Sequence, residues 1–486
     1  MKALLPLAAA CLFSQVNAAC SIISTGTSGD IVITGTLLTT LGPRFNGALL
    51  VQSGQITYAG PRRYLSLDAT RNTTFVECTG SSVISPGFIN AHEHIEYSTI
   101  MPLADIGERC DHRHDWRRGL RGHTKREAKV NGSAVAATAW GELRHLFSGT
   151  TSIVGGAMAP GLARNLDFLA GLEQGIRSAV VTWDVFPLDD SVGILRDGDC
   201  DYGVAPINSD VSGKLHRYMA HVAEGVDAEA ANEFRCLSDS RFDTIPLPGR
   251  EAGVSTDIVW PNMALVHALG LSDADFELVA SRGASVVWSP RSNVFLYGKT
   301  LNVTHLLEAG VNVALGTDWL PSGSATMGRE AVCARDVTWH SFSQGLQPKI
   351  LWEMMTVNAA RAVGFDAHIG SLVPGKVADI VVFGGGNLAD NKNSQDDVYA
   401  RAIFAGAEDV ELVMRGGKVM VAGANLKGLA SEPSCETVSF GRADKHICVA
   451  DELGSSFAQF QTSLKGVYPA ILPGVPDNEP TCKPTR

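Results

Sequence analysis

An apolar run over residues 85–91 ends in two histidines, His92 and His94, that are one residue apart. Successive side chains of a β-strand point to opposite faces, so these two imidazoles would point the same way and could share one metal ion. Two histidines at this spacing are more often solvated loop residues when nothing else accompanies them. The pair therefore gains meaning only if other metal-competent residues occur further along the chain.

Three further apolar runs end in groups of the same kind. They are residues 218–225 with His221 and Glu224, residues 263–267 with His267, and residues 311–318 with Asp318. Metal-competent side chains at the C-terminal ends of successive strands are typical of the active site of a (β/α)8 barrel. The sequence therefore predicts an α/β fold with a TIM-like barrel.

In this order, the motifs resemble those of the metal-dependent amidohydrolase superfamily, in the branch of guanine deaminase, triazine hydrolases and imidazolonepropionase. The resemblance covers most of the chain. Its matching positions are His92 and His94 at strand 1, His221 and Glu224 at strand 5, His267 at strand 6, Asp318 at strand 8, and the closing segment 369–383. Together these motifs are specific, although each alone is not.

The expected metal ligands are three neutral imidazoles and one carboxylate: His92, His94, His221 and Asp318. This donor set suits a borderline divalent ion, most readily Zn2+ with Fe2+ as the alternative, and leaves a position for water. The ion lowers the pKa of that water towards about 7, and the resulting hydroxide is the expected nucleophile.

Three residues are expected to carry the chemistry. The resemblance implies that Glu224 moves a proton to the substrate nitrogen, and that His267 polarises the substrate or holds the water. Asp318 would accept the proton of the water as well as contact the ion. Taken singly, each of these residues is more often a surface carboxylate or a hydrogen-bonded histidine.

A single ion per chain is favoured over two. Binuclear relatives bridge their ions with a carboxylated lysine at the end of strand 4. No lysine lies between Gly155 and Gly213, and Lys214 belongs to the approach to strand 5.

The composition bounds the fold and the partners. With 486 residues, 45% of them hydrophobic and 19% charged, the chain can bury one large core and a smaller module. A formal charge of −11 without a basic block argues against nucleic acid or an anionic membrane as partner. A small-molecule substrate is expected, and the oligomeric state, including a homo-oligomer, is left open.

Four regions are expected along the chain. Residues 1–19 predict a signal peptide, with an apolar stretch too short to span a bilayer. Residues 20–85 and 366–425 are rich in β-forming residues and predict one composite β-sandwich from both ends of the chain. Residues 86–365 predict the barrel, and residues 426–486 a C-terminal extension.

Two other features agree with export. Asn72, Asn131 and Asn302 begin glycosylation sequons. Loss of Cys11 with the signal would leave nine cysteines, so at least one stays outside intrachain pairs. Cys200 with Cys236 and Cys435 with Cys448 are the expected disulfides, although spacing does not fix connectivity.

Substrate contacts are expected from the loops after strands 7 and 8. Arg291 and Asn293 occupy a segment resembling a family loop that faces the pocket, and Trp319 directly follows Asp318. For Arg291, a surface salt bridge is equally compatible with the sequence. Residues 110–118 either cover the mouth of the barrel and bind an anionic or aromatic substrate, or form a solvated loop. His112 and His114 there would give a second metal site only with a third ligand, which is not evident.

These observations predict a secreted metal-dependent hydrolase that attacks a carbon bonded to nitrogen in a cyclic amidine, ring amide or amino-heterocycle. Two alternatives stay open. One is an amidase or lactone hydrolase acting on an acyl bond, and the other is a non-catalytic barrel used for binding.

Overall fold

The computed structural model describes residues 19–66, 70–130, 132–249, 254–343, 345–384 and 395–486. The expected signal peptide, apart from Ala19, and the sequon residue Asn131 lie outside the described residues. No helix in the described ranges is long and apolar enough to cross a membrane.

The strands of the described chain form three sheets. In chain order they are β1 Cys20–Ser24, β2 Ile31–Leu37, β3 Arg44–Gln52, β4 Gln55–Pro61, β5 Thr74–Cys78, β6 Val83–Pro86, β7 Phe88–Asn90, β8 Thr150–Ile153, β9 Arg164–Asn165, β10 Val181–Asp184, β11 Arg217–Val222, β12 Met263–His267, β13 Ser285–Trp288, β14 Asn312–Leu315, β15 Ile380–Phe383, β16 Val410–Arg415, β17 Lys418–Gly423, β18 Glu436–Ser439 and β19 Asp444–Ile447.

The α-helices lie mainly between the strands of the middle region. They are α1 Arg113–Arg118, α2 Ala134–Phe147, α3 Leu169–Leu172, α4 Ser209–Ser212, α5 Ala228–Ser238, α6 Asp273–Ser281, α7 Pro290–Tyr297, α8 Val303–Glu308, α9 Met327–Phe342, α10 Pro348–Met355, α11 Val357–Ala362, α12 Gln395–Ile403, α13 Ala450–Leu453 and α14 Phe457–Ser463.

Strands β7 to β14 form the barrel from a parallel sheet of β7, β8 and β9 and a parallel sheet of β10 to β14. Val181 N donates to Leu166 O at 2.9 Å between the two sheets, and Ala91 N donates to Leu315 O at 3.3 Å on the other side. Strands such as β12 are buried along their whole length because helices cover the outer face while side chains fill the interior. The predicted (β/α)8 fold is confirmed.

The largest sheet combines strands from both ends of the chain. Its order is β1-β5-β2-β6-β15-β16-β17-β19-β18, with β3 paired to β2 and β4 paired to β3. Antiparallel β15 and β6 join its two halves. Strands β18 and β19 lie beyond the expected boundary at residue 425 and extend the same sheet.

The large sheet and the barrel meet at Gly87, the single residue between β6 and β7. A Cβ atom there would lie only 2.1 Å from Thr151 Oγ1, so this close approach requires glycine. Gly87 N donates to Asp379 O at 2.9 Å. Beside this junction, buried Arg164 of β9 forms two 2.8 Å hydrogen bonds to the Asp379 carboxylate.

Arg164→Ala should lower the free energy of unfolding by about 3–5 kcal/mol, because it leaves the buried Asp379 carboxylate without its partner. Urea unfolding of the purified chain measures the change. Arg62→Ala is the control, since the Arg62–Glu77 pair is about half exposed and should contribute no more than about 1 kcal/mol. Equal, small effects in the two variants would contradict a structural role for the buried pair.

Four disulfides lie in the described residues: Cys20–Cys78, Cys200–Cys236, Cys333–Cys482 and Cys435–Cys448. They include both expected pairs. Cys110 is the free cysteine of the described chain, and it is buried. Burial raises the pKa of its thiol to about 12, so Cys110 is a poor nucleophile near neutral pH.

Candidate active site

Four buried side chains converge at the C-terminal end of the barrel. His92, His221, His267 and Asp318 each present one ligand atom, and these atoms all lie within 4.8 Å of one another. Within this group, His92 Nε2 lies 3.3 Å from Asp318 Oδ1. This spacing is compatible with ligands around a single ion.

The strand ends explain the convergence. His221 lies within β11, His267 is the last residue of β12, and His92 and Asp318 follow β7 and β14. Neighbouring parallel strands carry these residues to the same barrel end, where His92 O accepts a 3.0 Å hydrogen bond from Asp318 N. His267 and Asp318 have φ values of 67° and 64°, a strained backbone that turns their side chains at the strand ends.

His94, the fourth expected ligand, lies beside the group of four. Its Nε2 is 3.5 Å from Asp318 Oδ1, and its ring centroid is 4.9 Å from that of His92 and 5.4 Å from that of His221. The structure therefore brings all four expected ligands together and adds His267, which the sequence assigned to substrate or water.

The pKa shifts of three candidate ligands favour the protonation states that bind a cation. Burial, followed by the charge of His92, lowers the pKa of His94 to about 3, and burial lowers that of His221 well below its ordinary value. Asp318 has a lowered pKa because the hydrogen bond from His92 and the nearby histidines outweigh its burial. Neutral imidazoles and an ionised carboxylate are the forms that bind metal.

Two nitrogens in the group are buried without a hydrogen-bond partner among the described residues, His92 Nδ1 and His267 Nε2. Unpaired buried polar atoms are costly unless something binds them. Unpaired nitrogen beside an ionised carboxylate is the environment in which a divalent cation is stable. The residues present thus fit a metal ion.

Surrounding groups orient the candidate ligands. Asp184 O lies 3.1 Å from His221 Nδ1, which leaves His221 Nε2 free for a metal. Asn293 Oδ1 lies 3.2 Å from His267 Nδ1. Ser292 Oγ donates to Asp318 Oδ2 at 2.5 Å. Such contacts fix the ring tautomers and the carboxylate direction.

Glu224 is held at the edge of the group. Tyr297 Oη donates to Glu224 Oε1 at 2.6 Å, and Trp116 Nε1 donates to Tyr297 Oη at 2.9 Å. Burial, followed by the Glu224 charge, raises the pKa of Tyr297 well above its ordinary value, so the phenol keeps its proton. Glu224 Oε2 lies 3.8 Å from His267 Nε2 and is the oxygen left for exchange of protons.

The backbone after Glu224 also depends on a close approach. Arg113 N donates to Glu224 O at 2.9 Å, and a Cβ on Gly225 would lie 2.5 Å from Asp111 O. Glycine therefore allows the segment before α1 to pack against the end of β11. This contact carries Trp116 to the site.

A cavity of about 530 Å³ opens above these residues. His94, His221, Glu224, His267 and Asp318 line its inner end. Its walls include four large aromatic side chains: Trp116, Trp183, Phe186 and Trp319. Trp319 packs edge-on against Tyr97 with ring centroids 5.4 Å apart. Such a cavity suits a flat ring.

The structure places two of the three expected substrate contacts, Arg291 and Asn293, outside the cavity lining. Arg291 is buried away from the cavity lining, where Nε donates to Ser324 Oγ at 2.6 Å and Nη1 donates to Pro480 O at 2.5 Å. A 3.2 Å ion pair with Glu479 completes its environment. The position of Arg291 near the start of α7 turns it towards the C-terminal segment, so it anchors that segment. Asn293 contacts His267 instead of the cavity, and Trp319 lies in the cavity wall.

A second metal at His112 and His114 is not supported, because their ring nitrogens are engaged. His112 Nδ1 accepts from His114 N at 3.2 Å, and His112 Nε2 lies 3.2 Å from Glu233. His114 Nε2 lies 2.7 Å from Asp190. The metal-competent group found among the described residues contains neither His112 nor His114.

Sequence reasoning missed Tyr297, Ser292 and Trp183. A signal for Tyr297 was present, because it lies four residues after Asn293 and thus on the same face of a helix. Trp183 lies in β10, a strand whose apolar run is short. Of the sequon residues, Asn72 and Asn302 are exposed, and Asn302 also caps α8.

Comparisons with known proteins agree with this geometry. Residues 249–420 match the amidohydrolase family. The chain is 28% identical over 393 residues to a 5-methylthioadenosine/S-adenosylhomocysteine deaminase of Syntrophobacter fumaroxidans, which covers 73% of this chain and 84% of that protein. It is 25% identical over 419 residues to an imidazolonepropionase of Geobacillus thermodenitrificans, covering 77% of this chain and 90% of that protein.

Among solved structures, an adenosine deaminase from Xanthomonas campestris with bound zinc resembles the fold with a TM-score of 0.53 at 18% identity. The alignment covers 90% of this chain and 98% of that chain. At this identity the likeness shows the fold, whereas function resides in the side chains of the site.

Proposed function

We propose, from the premise that this chain carries an amidohydrolase-family domain, that it is a secreted, zinc-dependent hydrolase of amino-heterocycles or cyclic amides. The resemblance to that superfamily and the assignment to an amidohydrolase type of enzyme are confirmed. Relatives named as deaminases and as imidazolonepropionase support attack on a carbon bonded to nitrogen in a ring system.

The observation that carries the proposal is the juxtaposition of a metal-competent group with a separate carboxylate. His92, His221, His267 and Asp318 lie within 4.8 Å of one another, while Glu224 is held beside them by Tyr297. His94 supplies a further nitrogen at the same place. A structural site would need the ligands alone, whereas hydrolysis also needs a proton carrier.

Zinc, when bound, supplies a Lewis acid that makes water nucleophilic near neutral pH. Asp318 accepts a proton from the attacking water, since one of its oxygens faces His92 and the other is fixed by Ser292. Glu224 Oε2 relays the other water proton to the substrate ring nitrogen as the new C–O bond forms. Asp318 passes its proton to the exocyclic amino group, so the C–N bond breaks, ammonia leaves and the attacked carbon becomes a carbonyl. His267 orients the reacting carbon's substituent.

Purified chain should hold close to one divalent metal ion, and an ammonia-release screen over amino-heterocycles and cyclic amides should find a substrate. Metal analysis by inductively coupled plasma mass spectrometry gives the first result, and the screen gives the second. Ring opening without ammonia would select a cyclic amide. Two ions per chain would contradict the mononuclear site, and a metal-loaded chain without turnover across the panel would favour a binding protein.

Secretion is the second part of the proposal. Four disulfides in the described residues support an oxidising compartment, and exposed Asn72 and Asn302 are accessible to glycan transfer. An export signal over residues 1–19 and the sequon at Asn131 agree with this interpretation of the sequence.

In the native host, the mature chain should therefore begin near Ala19 or Cys20 and should lose mass on treatment with a glycosidase. N-terminal sequencing and intact mass measure both. Asn72→Gln and Asn302→Gln should each remove one glycan. An intact Met1 terminus with no glycosidase effect would contradict secretion while leaving the enzyme proposal in place.

A further inference from the structure

The strongest feature outside the reaction centre is Arg117, the cationic residue of α1 that reaches the cavity wall. Its guanidinium lies over the ring of Phe186, 4.2 Å from the ring centroid. Its Nη1 donates to His114 Nδ1 at 2.9 Å. Among the described residues, Arg117 forms no ion pair with a carboxylate, although it is only partly exposed.

Buried neighbours fix the orientation of the Arg117 side chain. His114 is fully buried, and burial lowers its pKa, so the ring is neutral. Its Nε2–H donates to Asp190 at 2.7 Å, which leaves Nδ1 as an acceptor for Arg117. Asp190 is in turn held by Arg113 at 2.6 Å. The buried chain from Arg113 to His114 therefore fixes one edge of the Arg117 guanidinium.

The neighbouring arginine, Arg113, already has carboxylate partners and needs no anionic ligand. Arg113 is fully buried and is neutralised by Asp190 and by Glu233, the latter at 3.1 Å. Arg117 has its Nη1 engaged and one face covered by Phe186, which leaves the edge formed by Nε and Nη2. This edge is the one that binds a carboxylate through two parallel hydrogen bonds.

The charged residues that line the outer part of the cavity also favour an anionic ligand. Lys125, Arg126 and Lys129 also line it, against the acidic residues Glu96 and Glu127. Glu127 is itself paired with Lys125 at 3.3 Å and with Lys129 at 3.6 Å. The other two cavity carboxylates, Glu224 and Asp318, are held by Tyr297 and Ser292 at the reaction centre. The outer cavity therefore has an excess of positive charge.

The position of the aromatic walls completes the arrangement. Trp116 and Phe186 line the same cavity as Arg117 and the reaction centre, and they offer flat surfaces to a ring. Resting on the proposed function, we propose that Arg117 is a substrate-recognition residue and that the heterocycle attacked here carries an anionic substituent, a carboxylate in preference to a phosphate. The planar fork of the free guanidinium edge favours the carboxylate.

The test uses the full-length zinc-loaded chain and three probes that share one ring: adenosine, adenosine 5′-carboxylate and adenosine 5′-monophosphate. Tryptophan fluorescence reports binding, because Trp116, Trp183 and Trp319 line the cavity. The carboxylate should bind about 10- to 100-fold more tightly than adenosine, the range for a charge-assisted pair. This preference should weaken as salt is added.

Arg117→Gln should reduce that preference to near one while leaving adenosine affinity unchanged, and Arg117→Lys should retain part of it. Arg118→Gln is the matched control, since Arg118 is exposed on the same helix and lies outside the cavity lining. A wild-type ratio near one, or an unchanged ratio in Arg117→Gln, would overturn the proposal. Tighter binding of the phosphate would overturn the preference for carboxylate.

Fluorescence detects binding without turnover. The recognition role of Arg117 and the proposed function can therefore be tested independently. Selective binding of the carboxylate without ammonia release from any heterocycle would contradict the proposed function but support the role of Arg117. Ammonia release with no preference for an anionic substrate would do the reverse. Absence of binding by all three probes would count against the recognition role.

Discussion

Replacing His221 by alanine should yield a folded chain that has lost its metal ion and its activity. The buried ring of His221 lies 4.6 Å from that of His92 and 5.2 Å from that of His267, and the Asp184 carbonyl contacts its Nδ1, so the substitution removes a nitrogen oriented towards the metal group. Metal activation is worth several kcal/mol, so the rate should fall by at least about 10³-fold. Metal content and kcat are measured on the same preparation.

His340→Ala is the control for this variant. His340 is an exposed histidine of α9, and its loss should change neither quantity. Circular dichroism of both variants verifies folding. Full retention of metal in His221→Ala would mean that His92, His94, His267 and Asp318 hold the ion without His221, and the ligand set would have to be redrawn.

Glu224→Gln should separate the proton carrier from the metal group. The amide has nearly the same shape and can still accept the hydrogen bond from Tyr297, so the cavity and the metal content should be unchanged. It cannot carry a proton. General acid–base catalysis contributes about 10² to 10⁴ in rate, so kcat should fall by that factor while KM changes little.

Glu277→Gln provides the comparison, because Glu277 is exposed on α6 and remote from the reaction centre. Loss of metal in Glu224→Gln would identify Glu224 as a ligand. An unchanged kcat would instead indicate that Asp318 or His267 transfers the proton without Glu224.

The barrel and most of the reaction centre could be predicted because they rest on local patterns. Apolar runs that end in His92, His221, His267 and Asp318 signal strands, and parallel strands place their C-terminal ends together. The junction of large sheet and barrel is also encoded locally, by Pro86 and Gly87 between two apolar runs. The pattern therefore supplies the backbone and the residues at the strand ends.

Other features depend on directions and distances that a linear pattern does not contain. The rotation of α7 decides that Arg291 faces the C-terminal segment while Tyr297 reaches Glu224. The Cys333–Cys482 pairing joins positions 149 residues apart, and no spacing rule selects it. Residues 110–118 could be interpreted as a solvated loop, because the burial of Arg113 depends on Asp190 and Glu233 from distant segments.

The single-residue link between β6 and β7 has a consequence for the order of folding. Strand β6 pairs with β15 so that Val83 lies opposite Phe383, and Gly87 bonds to Asp379. Contacts between segments so far apart in sequence close large loops and form late. During synthesis, β6 can pair with β2 early, but it acquires its second sheet neighbour, β15, only after the residues of all the barrel strands have emerged. Since the candidate ligands His92 and Asp318 are themselves 226 residues apart, we expect metal capture to be a late event, which completes a scaffold rather than nucleating it.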